Sequence, residues 1–186
     1  MRCLDLVDRL LNKEEAALVE LMNQYGDYLL RTALLFLKDQ QVAEETVQDV
    51  FITAYEKINQ LTDSSKLKSW LTSILVNRCR TEMRKRSWKQ RLLSLNMFDF
   101  TQQDDLFLGP EEHLFALAEN QHLTKAIHAL DYKYREVIVL FYYNEMKITD
   151  IAEFIQTKEN TVKSRLARGR SLLKDSLMKG EDDRER

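Results

Sequence analysis

Along most of the chain, apolar side chains recur at three- and four-residue steps, the period of helices that bury one face. In residues 13–38 they are Leu18, Leu21, Met22, Tyr25, Leu29, Ala33, Phe36 and Leu37. The period breaks at Lys38, Asp39 and Gln40 and resumes over residues 43–61. There Val47, Val50, Phe51, Ala54, Tyr55 and Ile58 share one face, while Glu44, Glu45, Gln48, Asp49 and Glu56 lie mostly elsewhere. A loop with turn chemistry follows at Thr62, Asp63, Ser64, Ser65 and Lys66. The pattern then predicts a helix over 67–89, with Leu67, Trp70, Leu71, Ile74, Leu75 and Cys79 as its stripe and Trp70 as a core anchor. Residues 92–110 lose the period and contain Gly109 and Pro110, which marks a linker. Helical pattern returns over 111–129, 132–143, 148–156 and 161–178, and the end of the chain reads as a frayed tail. The expectation is an all-α fold of two helical domains, 1–91 and 111–179, joined by a flexible linker at 92–110 and followed by a tail at 180–186.

Composition agrees with the helical reading: among 186 residues there are only four glycines and one proline. Charge changes the picture more. The net charge of −2 hides strong segregation. Residues 1–60 carry 6 basic and 11 acidic side chains, whereas 66–91 carry 9 basic residues against the single acid Glu82. Residues 99–119 hold six acids and no Lys or Arg, and 158–174 return to six basic against one acidic. Single-sign patches of this kind steer charged partners. Cys3 and Cys79 lack metal or redox spacing, which fits a reduced compartment with Cys79 as a small apolar residue. No signal-peptide core precedes the first helix and no apolar run approaches a bilayer span, so a cytoplasmic protein without membrane insertion is expected.

Residues 148–166 have the pattern of a helix-turn-helix. Ile151, Ala152 and Ile155 fall on the inner face of a first helix, Val162 and Leu166 on that of a second, and small Ala152 permits a close crossing. The turn spans Thr157, Lys158, Glu159 and Asn160, with Asn160 or Thr161 expected as the cap of the second helix. Thr161, Lys163, Ser164, Arg165 and Arg168 are then left pointing outward, as a helix that reads base edges in a major groove requires. The same residues also suit a solvated basic helix; the local +5 charge favours DNA.

The residues from Glu45 to Tyr55 (Glu45, Gln48, Asp49, Phe51 and Tyr55 among them), then Ser69, Trp70, Leu71 and Asn77, then Ile151, Ala152 and Glu153, and finally the run from Thr161 to Arg170 stand in a recognisable order and spacing. Over about residues 16–177 the chain closely resembles extracytoplasmic-function sigma factors of the sigma-70 family. The resemblance implies regions 2 and 4 of that family, and a factor that gives core RNA polymerase its promoter specificity. By position, Glu45, Gln48, Asp49 and Phe51 would dock on the clamp helices of the largest polymerase subunit, and the flap region of the polymerase would be a second contact. The loop Leu61, Thr62, Asp63, Ser64, Ser65 and Lys66 with Asn77 would capture an extruded base of the −10 element. Arg78, Arg80, Arg84, Lys85 and Arg86 would hold DNA phosphates. Lys163, Ser164 and Arg168 would read the −35 element with Thr161, while Arg165 and Arg170 clamp phosphates. Many relatives have an Asp four residues after this Asn, where the chain has Thr81, so −10 base preference does not transfer from them. The linker, with Phe98, Phe100 and Phe107, would thread the polymerase active cleft.

A stand-alone helix-turn-helix regulator is the competing reading, although nothing in the sequence resembles a dedicated dimerisation helix or a ligand pocket. A helical adaptor that binds proteins alone would leave transcription intact after removal of the basic segments. His113, His122 and His128 have no metal-ligand spacing, and no Gly-rich phosphate loop exists, so neither an enzyme nor a cofactor is expected. Control by a separate anti-sigma factor is what the family implies.

Overall fold

The protein is described by a computed structural model in which residues 2–95 and 121–182 are defined. Most of the expected linker, including its acids and its three phenylalanines, lies outside the described residues, as do residues 111–120 of the next expected helix, with His113, and residues 183–186. The chain separates into two compact units, the first ending at Leu108 and the second beginning at Gly109.

The N-terminal unit is a helical bundle. Helix α1 (Arg2–Leu11) precedes α2 (Glu15–Leu37), α3 (Gln40–Lys57) and α4 (Leu67–Leu95), with short 3-10 turns at Ile58–Gln60 and Ser64–Lys66 between the last two. Helices α2, α3 and α4 pack mutually. Their core is Leu21, Leu29, Ala33 and Phe36 from α2, Val50, Phe51 and Ala54 from α3, and Leu71, Leu75, Val76 and Cys79 from α4. Each fully buried leucine contributes about 1.5–3 kcal/mol relative to exposure. Burial pushes the Cys79 thiol up to about 12, so it remains a protonated apolar side chain, as its place on the stripe predicted.

Local chemistry moves two expected boundaries. Lys38 adopts φ 61° and closes α2 through its N–H to the Leu34 carbonyl. Asp39 then accepts a 3.0 Å hydrogen bond from the Val42 N–H, so α3 starts at Gln40 rather than near residue 43. Met22 was expected on the buried stripe of α2 but is 43% exposed, at the edge of the apolar face. Helix α1 was not anticipated; Leu6, Val7 and Leu10 are all buried against the bundle. Helix α4 runs to Leu95, past the expected start of the linker at 92.

The C-terminal unit comprises α5 (Gln121–Ala129), α6 (Tyr132–Ile138), a π-helical turn (Val139–Tyr143), α7 (Ile148–Phe154) and α8 (Glu159–Asp182), with α8 packed on the other three helices. The helix thus continues through residues 180–182, which were expected to fray. Arg135 is 2% exposed, and its guanidinium donates to the His128 carbonyl in the last turn of α5 at 3.2 Å. A cation suits that end of a helix, although desolvation lowers the Arg135 pKa. Gly169 of α8 sits where a Cβ would lie 2.9 Å from Ile138 Cγ1, so the absent side chain permits the close crossing of α8 and α6.

Candidate nucleic-acid interfaces

The helix-turn-helix forms as its pattern predicted. Ile151, Ala152, Val162 and Leu166 are buried and Ile155 is half-buried. Its turn is closed by Gln156 at φ 52°, which lets the Thr157 N–H reach back to the Ala152 carbonyl at 2.8 Å. Because α8 begins at Glu159, Asn160 and Thr161 lie inside its first turn and do not cap it, contrary to expectation. The Thr161 and Val162 N–H groups bond the Lys158 carbonyl instead. Lys163, Ser164, Arg168 and Arg170 are exposed, while Thr161 and Arg165 are half-buried. Lys163 stands 3.7 Å from Glu159, and the Ser164 hydroxyl donates to the Thr161 carbonyl at 2.9 Å. Ser164 therefore offers its lone pairs to a base amino group more readily than its proton to a phosphate.

In the N-terminal unit the expected loop is ordered by its own Asp63. That carboxylate accepts from the Ser65 N–H at 2.9 Å and from the Ser65 hydroxyl at 2.6 Å. These bonds lower the Asp63 pKa. Thr62, Ser65 and Lys66 are exposed, and Leu61, Asp63 and Ser64 half-buried.

Beside the loop, α3 and α4 frame an open groove of about 290 Å³ lined by Thr53, Lys57, Gln60, Trp70, Ile74, Asn77, Arg78 and Thr81. Asn77 and Arg78 were expected at a binding site; Trp70 was expected in the core and instead forms part of this wall. The stripe fixes which face of a helix a residue occupies, and Trp70 lies at its edge, half-buried. The loop residues 61–66 do not line the groove, which Gln60 bounds just before them. Thr53, Lys57 and Gln60 were not anticipated, although their spacing sets them on one side of α3 and its 3-10 extension. Thr81 donates to the Asn77 carbonyl at 3.0 Å and receives the Arg84 guanidinium at 3.3 Å. Lys85 pairs with Glu82 at 2.6 Å. Arg80 lies half-buried on the same helix; the side chain of Arg86 lies outside the described residues.

Glu45, Gln48 and Asp49 are exposed on α3, as a docking face requires. Phe51, expected among them, is only 5% exposed and belongs to the core, because it falls on the apolar side of the helical period. Ile52, 57% exposed, occupies the outer face instead. Asp49 also has a second commitment. It pairs with Arg78 of α4 at 2.6 Å, and Arg78 donates a further 2.7 Å bond to the Thr53 hydroxyl. A residue expected to face polymerase and one expected to face DNA are thus bonded to each other.

Among the described residues, no helix is long and apolar enough to cross a membrane. The family description Sigma-70 region 2 matches residues 21–89, and Sigma-70, region 4 matches residues 121–173, together about two-thirds of the chain. The chain is 28% identical over 165 residues to the RNA polymerase sigma factor SigV of Bacillus subtilis (strain 168), covering 89% of this chain and 93% of that one. It is 28% identical over 171 residues to the ECF RNA polymerase sigma factor SigW of the same organism, covering 88% and 90%. Its fold is similar to that of the sigma factor RpoE from Bartonella quintana, solved in complex with the anti-sigma factor NepR. The TM-score is 0.65 at 25% identity, over 86% of this chain and 95% of that one. With two helical units that match regions 2 and 4 in order, the chain belongs to the extracytoplasmic-function sigma factors of the sigma-70 family, which direct RNA polymerase to promoters.

Proposed function

We propose that the two units divide promoter reading, with α8 reading duplex −35 DNA and the groove between α3 and α4 holding unstacked −10 DNA. The observation that carries this reading is the contrast between the two surfaces. Helix α8 projects Lys163, Arg168 and Arg170 from a helix-turn-helix whose inner face is sealed, the form that fits a major groove. The α3–α4 groove combines an indole with two amide side chains and two cations. A base can stack on Trp70 while Asn77 and Gln60 bond its edge, and Lys57 and Arg78 are placed for phosphates. The neighbouring loop 61–66 supplies further polar contacts. Phosphodiester chemistry belongs to the polymerase.

Glu45, Gln48, Asp49 and Ile52 form the face we assign to core polymerase. The Asp49–Arg78 pair links that face to the groove. Both side chains are substantially exposed, so the pair is worth at most about 1 kcal/mol and a stronger partner for Asp49 displaces it. Docking on polymerase would then release Arg78 to DNA phosphate. The Bartonella RpoE complex supports an anti-sigma factor as a further partner for this chain.

Run-off transcription with purified core polymerase over a genomic promoter library tests the reading. The expected result is initiation at a limited set of promoters that share two spaced elements. Palindromic duplex binding without polymerase, and no polymerase-dependent initiation, would favour a stand-alone regulator.

A further inference from the structure

We propose that α1 is a positioning brace for the −10 loop, with Leu6, Val7 and Leu10 as the residues that hold it. This inference rests on the assignment of loop 61–66 to the −10 element. Helix α1 packs on α2 and on both 3-10 turns: Ile58–Gln60, which precedes the loop, and Ser64–Lys66, which forms its second half. It therefore spans the two ends between which Leu61, Thr62 and Asp63 are held. Its apolar face is closed: Leu6 is 1%, Val7 5% and Leu10 0% exposed, and Ile58 of the first turn is 1% exposed.

The brace is anchored at its C-terminal end by polar contacts to two other helices. Arg9 bonds Glu14 at 3.0 Å and Glu20 of α2 at 2.7 Å. Lys13, at φ 60° in the turn after α1, donates to the Tyr55 carbonyl of α3 and lies 4.6 Å over the Tyr55 ring. The Tyr55 hydroxyl returns a 2.8 Å bond to the Lys13 carbonyl. These contacts fix α1 to α2 and α3, so its packing against the turns transmits the position of the bundle to the loop. The matched Sigma-70 region 2 residues begin at 21, beyond α1. Three-residue 3-10 turns have poorer hydrogen-bond geometry than α-helix, and external packing of this kind is what keeps them in one register.

The test uses the full chain with core polymerase and compares Leu6→Ala, Leu10→Ala and the conservative Leu10→Met. Three quantities are read: holoenzyme assembly, binding of a −35 duplex, and discrimination between cognate and single-base-altered −10 non-template strands. A positioning role predicts that the alanine variants lose about tenfold in −10 discrimination. Assembly and −35 binding stay within about twofold, and Leu10→Met restores discrimination. If Leu10→Ala fails to fold, Leu6→Ala with Arg9→Gln loosens α1 while the α2–α3–α4 core is intact. Hydrogen exchange at residues 2–11 verifies the loosening. Unchanged discrimination with α1 loosened overturns the proposal, as does a loss that only parallels assembly. Thr62→Ala and Asp63→Ala separate the two readings: if they leave −10 discrimination intact, the loop assignment fails; if they abolish it while the α1 variants do not, the brace fails.

Discussion

The described cations of α4 are held by their own unit, whereas those of α8 mostly are not. Arg78 is bonded to Asp49 and Thr53, Arg84 to Thr81 and Lys85 to Glu82. On α8, Lys163 has a loose 3.7 Å pairing with Glu159, and Arg168 and Arg170 have no ion pair among the described residues. The difference matches the two substrates proposed for these surfaces. Duplex DNA presents its phosphates and base edges without rearrangement, so a helix can carry its contacts ready-made. A single-stranded segment exists only once polymerase has engaged the promoter, and cations engaged until then, Arg78 and Lys85 by carboxylates, attract other nucleic acid less. Because the pairs are exposed and individually weak, exchanging them for phosphate contacts costs little.

The largest expected effect comes from Lys163→Ala combined with Arg168→Ala. Transcription from a −35-dependent promoter should fall by about tenfold to a hundredfold, with core-polymerase association unchanged in a pull-down. Full activity would break the assignment of α8. Next is Asp49→Asn, for which two signs are predicted together. Association with core polymerase should weaken about tenfold, while the free chain should bind a −10 non-template strand a few-fold more tightly as Arg78 is released. A fall in both affinities would mean that Asp49 does not restrain Arg78.

Two smaller effects concern how α8 is presented. Gly169→Ala should destabilise the C-terminal unit by about 1–2 kcal/mol in thermal unfolding, because the new methyl meets Ile138 at 2.9 Å, partly offset by better helix propensity. Gln156→Gly should stabilise it by up to about 1 kcal/mol, since the residue already holds a left-handed conformation. A stabilised Gly169→Ala chain would show that the α6–α8 crossing has slack.

The comparison also marks what the sequence discloses. The helix-turn-helix was legible because its determinants are local: Ile151, Ala152, Val162 and Leu166 lie within sixteen residues, and their spacing dictates which side chains face outward. The groove was only half legible. Asn77 and Arg78 could be placed by resemblance, but Trp70 read as core because periodicity assigns a face and not a depth. For Phe51 the period and the resemblance pointed apart: the period placed it on the apolar face, where it is buried, while the motif position carried it into the docking set. The Asp49–Arg78 pair joins residues 29 apart on separate helices, and no local pattern encodes it. Helix α1 is ten residues long, too short for its Leu6, Val7 and Leu10 to stand out from a leucine-rich start. The low glycine count hides rather than reveals the turns, because Lys13, Lys38, Glu145 and Gln156 take the left-handed conformations that glycine usually supplies.

The division of labour between the units is tested most directly by run-off transcription that crosses protein variants with promoter variants. Lys163→Ala with Arg168→Ala is assayed beside Asn77→Ala, each on promoters altered at the −35 element, at the −10 element, or at both. The account predicts that the α8 variant becomes indifferent to −35 changes while it still responds to −10 changes, and that Asn77→Ala shows the reverse. If either variant stays fully sensitive to its own element, or loses sensitivity to both elements equally, the two units do not read the promoter separately.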